Sequence, residues 1–187
     1  MPSIYLFNSA TIVPKGALED VFLSYDSNPK ITYFSSQKGM IETEGNIDDI
    51  LLKNAMKIHE RLGLRIAFLK VHKYSDLTAH LLDQALGFYP NMLSFMSDIL
   101  FKEMTFGNFM SMPLLNREFA NVPKEIMETM GAYLRHGLNM IEAAKSLYVH
   151  RNTFLFRMHK FLKTTNLDIR DYHDALLLEI HFQMNKR

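Results

Sequence analysis

Residues 139–163 hold a short helical pattern, a two-residue break and a longer helical pattern, and few packings accept that spacing. Asn139 stands as the cap of the first helix, with Glu142 three residues on in the capping-box position. The helix spans Met140 to Leu147 and contains Ala143-Ala144, small enough to let another helix approach closely. Tyr148 and Val149 form the break, and from His150-Arg151-Asn152-Thr153 the chain runs to Lys163 without a helix breaker. Two helices that cross steeply need a small residue at the crossing and a buried aliphatic residue in the turn, and Ala144 and Val149 are placed to supply them. A preceding helix over Glu125 to Arg135, with the apolar stripe Ile126, Met130, Tyr133 and Leu134, ends at Gly137. The pattern predicts a helix-turn-helix.

The second helix of the pair divides into two unlike faces. Phe154, Met158 and Phe161 recur at helical spacing and form the buried side, toward Leu147 and Val149. A step of about 100° per residue puts Asn152, Phe156, His159, Lys160 and Lys163 on the opposite side, with Arg151 and Arg157 on the flanks. Between Arg135 and Lys163 six Lys/Arg face a single acid, Glu142, so this segment calls for an anionic partner. A major groove accepts one helix and requires donors toward base edges with cations around them for phosphates. Arg151, Asn152, Phe156 and His159 are the expected base-facing residues. Lys145, Thr153, Arg157, Lys160 and Lys163 are the expected phosphate contacts, and His150 joins the same DNA-binding set. The plainer readings are that His150 ends the turn and that Thr153 satisfies backbone groups at the helix start.

The run Ala143-Ala144-x-x-Leu147-x-Val149-His150-Arg151-Asn152-Thr153-x-x-x-Arg157 resembles the C-terminal module of the PucR/CdaR family of bacterial transcription regulators. Tyr133-Leu134 before it and Thr165-Asn166-Leu167-Asp168-Ile169-Arg170-Asp171 after it resemble further parts of that module. The resemblance covers about a third of the chain. It implies a DNA-binding helix-turn-helix without a wing, placed after a sensing or degenerate GGDEF-like domain, in a regulator that commonly works as an oligomer. Leu155 stands where family members usually carry a polar or basic side chain, and Phe156 replaces the usual tyrosine. Leu155 either touches a thymine methyl or packs beneath Tyr172. Residues 1–122 are shorter than the family's usual upstream region and show no GGDEF signature and no nucleotide-binding loop.

Upstream, the order of signals predicts an α+β arrangement. Ile4 to Phe7, Ile31 to Phe34 and Met40-Ile41 read as short strands joined by Asn/Ser/Pro/Gly-rich connectors. Ile47, Leu51, Ala55, Ile58 and Leu62 predict a helix that stops at Gly63, followed by an apolar strand from Ile66 to Val71. Ser75 to Leu86 and Asn91 to Glu103 read as two helices after the last strand, and Thr105 to Asn116 reads as a linker loop. The expected organisation is a small mixed α/β domain over 1–112, for sensing or oligomerisation, and an all-α helix-turn-helix domain over 113–187.

With 187 residues, 48% of them hydrophobic and 22% charged, the chain can bury a real core without staples. The absence of Cys excludes disulfides and thiolate chemistry, and with no membrane-length apolar run and no basic leader the expected location is the cytoplasm. The net charge of +1 conceals an asymmetry: residues 124–187 carry ten Lys/Arg against seven Asp/Glu. His59, His72 and His80 lack metal-ligand spacing, and Asp48-Asp49 reads as the acidic first turn of a helix, not a catalytic pair. No nucleophile elbow, Walker loop or dinucleotide fingerprint occurs, so the reading is a non-enzymatic regulator without cofactor or metal. Its expected partners are double-stranded DNA and further copies of itself, with a small-molecule effector left open. Seven methionines lie between Met92 and Met130, where a ligand pocket and ordinary gap-filling are both open readings. The last helix, Asp171 to Met184, is apolar over more than one face, which predicts packing between domains or against a second chain. The alternative reading is a protein-interaction module that kept the helical scaffold without reading DNA.

Overall fold

Tyr5 and Phe7 point to one side of an extended backbone and Leu6 to the other, and all three are fully buried. A strand buried on both faces must lie inside a sheet, and β1 (Ser3–Ser9) does so in the computed structural model, which describes residues 2–26 and 28–185. Lys186 and Arg187, counted above in the C-terminal charge, lie outside the described residues. β1 pairs antiparallel with β3 (Lys38–Thr43) on one side and with β4 (Ile66–Val71) on the other. β2 (Lys30–Tyr33) extends the sheet antiparallel beyond β3, and β5 (Leu93–Phe95) extends it parallel beyond β4, giving the order β2-β3-β1-β4-β5.

Each face of this sheet has its own helices. Tyr5, Phe7, Ile41 and Phe68 pack with Leu18 and Phe22 of α1 (Ala17–Phe22) and with Leu51, Ala55 and Ile58 of α2 (Asp48–Leu62). α3 (Asp76–Phe88) lies against β1 and β4, with α4 (Met96–Thr105) packed on α3. Asn8 shows which side this is, because its side-chain amide donates to Leu82 O of α3 at 3.4 Å. Each large apolar side chain so enclosed contributes about 1.5–3 kcal/mol. Asp48 does more than complement the dipole of α2: it accepts from the Tyr5 hydroxyl at 2.9 Å and pairs with Lys70 across the sheet end. Burial first, and the Asp48 charge beside it, raise the Tyr5 phenol above its ordinary value.

The α+β class is what the structure shows, with the chain separating into two compact units, Met1–Gly107 and Asn108–Arg187. Three local readings are corrected. Asn91 to Glu103 is not one helix: β5 occupies Leu93–Phe95 and α4 starts only at Met96, so the strands do not end with β4. Asn91, at φ 59, turns the chain and accepts from Ile66 N–H at 3.1 Å, which docks the next three residues beside β4. A three-residue strand is too short to show its own period. Next, the stretch read as a linker loop contains α5 (Met112–Phe119), with Pro113 in its first turn, where a missing N–H costs nothing. Finally, α1 lies inside a segment read only as a connector, and Gly16, at φ 84, begins it.

The second unit is helical: α5, α6 (Lys124–Arg135), α7 (Met140–Ser146), α8 (Arg151–Thr165) and α9 (Tyr172–Met184). α9 buries Ala175, Leu177, Leu178 and Ile180 and packs on both α5 and α6. α5 and α6 thus cover part of its wide apolar stripe within its own unit, while Leu176 and Phe182 stay half-buried. Among the described residues no helix is long and apolar enough to cross a membrane.

Candidate nucleic-acid interface

The turn between α6 and α7 is made by two left-handed residues, Gly137 at φ 61 and Leu138 at φ 62, after which Asn139 accepts from the N–H groups of Ile141 and Glu142. Glu142 pairs with Lys145 at 3.2 Å on the surface. α7 is capped by Leu147, with Val149 N–H donating to Ala144 O at 3.1 Å and Tyr148 at φ 54. This is a Schellman-type closure with a tyrosine where glycine is the usual occupant. His150 then caps α8: its Nδ1 accepts from Asn152 N–H at 3.2 Å. The ring of His150, and not the Thr153 hydroxyl, supplies that cap.

The core that fixes the angle of α8 forms as the spacing requires. Ala143 and Ala144 are buried, Phe154 and Phe161 are fully enclosed, and Tyr133 meets Phe154 edge-on at 5.9 Å. Phe161 stacks on Phe119 of α5 at 6.2 Å. Val149, expected to be buried in the turn, and Met158, expected in the core, are only half-buried. The opposite side of α8 is open: Arg151, Asn152, Thr153, Phe156, His159, Lys160 and Lys163 are all exposed, as are His150 and Lys145. Asn152, Phe156, His159 and Lys163 succeed one another along one face of a rigid rod, a shape that fits a major groove.

Arg157 is placed differently from its neighbours. Its Nη1 donates to Thr129 Oγ1 of α6 at 3.0 Å, its Nη2 lies 3.9 Å from Glu125, and its side chain is 21% exposed. Thr129 is fully buried and uses its own hydrogen on Glu125 O at 2.8 Å, leaving its oxygen to accept. The guanidinium thus ties the middle of α8 to α6. Thr129 escaped the sequence reading, although a hydroxyl beside Ile126 and Met130 on a buried stripe signals a polar partner.

Leu155 is half-buried and lines a small cavity of about 60 Å³ with Met158, Leu162, Leu167 and Ile169. It stands against the 167–170 segment, and Tyr172 is 69% exposed. Leu167 and Ile169 are buried, and this turn is held by Asp168 N–H donating to Asp174 at 2.8 Å, with Arg170 forked onto the Asp168 carboxylate. Among the described residues no group of three or more His, Asp or Glu is arranged to hold a metal ion.

Comparison with known proteins agrees with this geometry over the same stretch. Residues 126–184 match the profile of the PucR C-terminal helix-turn-helix domain. The carbohydrate diacid regulator of Escherichia coli (strain K12) is 31% identical over 61 residues, which are 33% of this chain and 16% of the relative. The uncharacterized protein YxkF of Bacillus subtilis (strain 168) is 34% identical over 53 residues, 28% of this chain and 18% of the relative. The chain thus spans less than a fifth of the length of either. A solved structure, a regulator of polyketide synthase expression from Bifidobacterium adolescentis, aligns over 100% of this chain and 87% of its own at 15% identity, with a TM-score of 0.47. Residues 126–184 are a helix-turn-helix domain of the PucR C-terminal type.

Proposed function

We propose that the C-terminal unit binds double-stranded DNA with α8 in the major groove and that the chain is a cytoplasmic transcription regulator. The observation that carries this reading is the exposed face of α8, where Asn152, Phe156, His159 and Lys163 follow one another with Arg151 and Lys160 beside them. Its opposite side is locked into the core by Phe154 and Phe161, so the face is presented rigidly. Arg151, Asn152, Phe156 and His159 read base edges, while Lys145, His150, Thr153, Lys160 and Lys163 position the module on phosphates. Arg157 acts through α6 as a positioning residue. The match to the PucR-type domain, and a relative named as a regulator, support the reading.

Met1–Gly107 is assigned the sensing or assembling role in this scheme. A second copy of the chain would place two α8 helices on half-sites about 34–36 Å apart, one turn of B-DNA. The decisive experiment is selection of bound duplexes from a random pool, followed by affinity measurement against salt. Enrichment of a motif, pseudo-palindromic for a two-fold assembly, and a steep fall of affinity with salt are expected. Failure to enrich any motif, with binding indifferent to salt, favours instead a protein-interaction module, the reading to which exposed Phe156 lends itself.

A further inference from the structure

Beside the proposed DNA-facing side of α8 lies a groove that shares Lys145, His150 and Arg151 with it but whose apolar floor the DNA reading does not use. α7 and the turn after it enclose an open groove of about 620 Å³, floored by Met140, Ile141, Ala144, Tyr148 and Val149. That volume is in the usual range for a recognition site. Ile141 is 62% exposed and Tyr148 98% exposed, so two large apolar side chains of one small element stand in water. Tyr148 also sits at φ 54, a conformation that costs a non-glycine residue about 1–2 kcal/mol and that glycine would adopt freely. Local folding gains nothing from a fully exposed aromatic ring at that position.

The rim narrows down the occupant. Lys145, His150 and Arg151 border the groove and no carboxylate lines it. Lys145 meets Glu142 only in a surface pair, which a stronger anionic partner can replace at little cost. An apolar floor is poorly matched to hydrated phosphates, whereas a basic rim around an apolar floor complements carboxylates flanking a bulky apolar side chain. We propose that the groove between α7 and the start of α8 docks an acidic peptide segment of a partner protein, anchored by an apolar side chain on Ile141 and Tyr148. Docking there would engage Lys145, His150 and Arg151, which the DNA reading also uses, so a protein neighbour and DNA would compete for the same cations.

The peptide titration uses the full chain without DNA, so its outcome is read separately from the DNA reading, and a duplex-binding control follows. A labelled twelve-residue peptide alternating Glu with Leu and Phe is titrated against the isotope-labelled protein, with anisotropy for affinity and amide spectra for location. Saturable binding is expected, with amide shifts centred on residues 140–149 and affinity that falls as salt rises. Ile141→Ser and Tyr148→Ser should each weaken it about tenfold or more, which corresponds to about 1.4 kcal/mol. Both variants should keep the affinity for duplex DNA within about twofold. A control peptide with Lys in place of Glu should not bind. Absence of saturable binding, or shifts that fall outside the groove, overturns the proposal. So does a loss of duplex affinity in the two variants as large as their loss of peptide affinity, which would make the patch part of the nucleic-acid surface.

Discussion

Arg157 Nη1 donates to Thr129 Oγ1 across 3.0 Å, joining the middle of α8 to α6. A buried hydroxyl and a largely enclosed guanidinium are coupled, since removing either costs the other one of its partners while Thr129 keeps its bond to Glu125 O and Arg157 its pairing with the Glu125 carboxylate. Thr129→Val and Arg157→Ala should each destabilise the second unit by about 1–3 kcal/mol, and the double variant should cost less than the sum. Urea denaturation of the four proteins measures the coupling. The salt slope of DNA binding should stay unchanged in Arg157→Ala, because the side chain is not counted among the phosphate contacts.

Lys160 and Asn152 should separate by how they fail. Lys160→Ala removes one exposed cation and should reduce the slope of log affinity against log salt by about 0.9, lowering all sequences alike. Asn152→Ala should leave the slope alone and relax preference at one base pair by about 1–3 kcal/mol. Competition assays against single-position variants of a selected duplex distinguish the two. Equal behaviour of both variants would contradict the division of roles along α8.

His181 gives the second unit a dependence on pH. Its ring lies between α5 and α9, with Nδ1 2.9 Å from Asn116 Oδ1 and the Phe119 ring 4.6 Å away. Burial lowers its pKa below the ordinary 6.5. The folded state therefore binds fewer protons than the unfolded chain just below that value, so stability is complete above it and declines as pH falls through it. Urea midpoints should fall between about pH 7.5 and about pH 5.5, and less so in His181→Phe.

Gly39 tests the sheet. A methyl group there would meet the Phe7 ring at 2.6 Å and press on the backbone carbonyl of Thr32, and neither neighbour can move freely. Gly39→Ala should destabilise the first unit by about 1–3 kcal/mol, with DNA affinity unchanged. Thermal unfolding compared with duplex binding by the same variant checks both halves.

Much of this arrangement was legible in the chain because periodic apolar residues decide long elements. Ile47 to Leu62 and Phe154 to Phe161 each repeat the helical period, and Gly63 marks the end of α2 and Asn139 the start of α7 by chemistry that tolerates few alternatives. Elements too short to repeat escaped notice: β5 has three residues and α1 has six. α5 was hidden by Pro113, which reads as a breaker unless the helix begins there. Within the interface, the face of α8 followed from rotation per residue, whereas the inward turn of Arg157 depended on Thr129, nearly thirty positions away, and no local pattern carries that information. Leu155 likewise found its neighbours in Leu167 and Ile169 through a turn whose path the sequence does not print.

The cap at the start of α8 also decides what kind of hydrogen-bonding group His150 can offer outward. With Nδ1 occupied as an acceptor for Asn152 N–H, the neutral ring must carry its hydrogen on Nε2. The exposed imidazole at the mouth of the helix is thereby fixed as a donor, the polarity that a phosphate oxygen requires. Folding of the turn thus selects the hydrogen-bonding chemistry of its own outer edge.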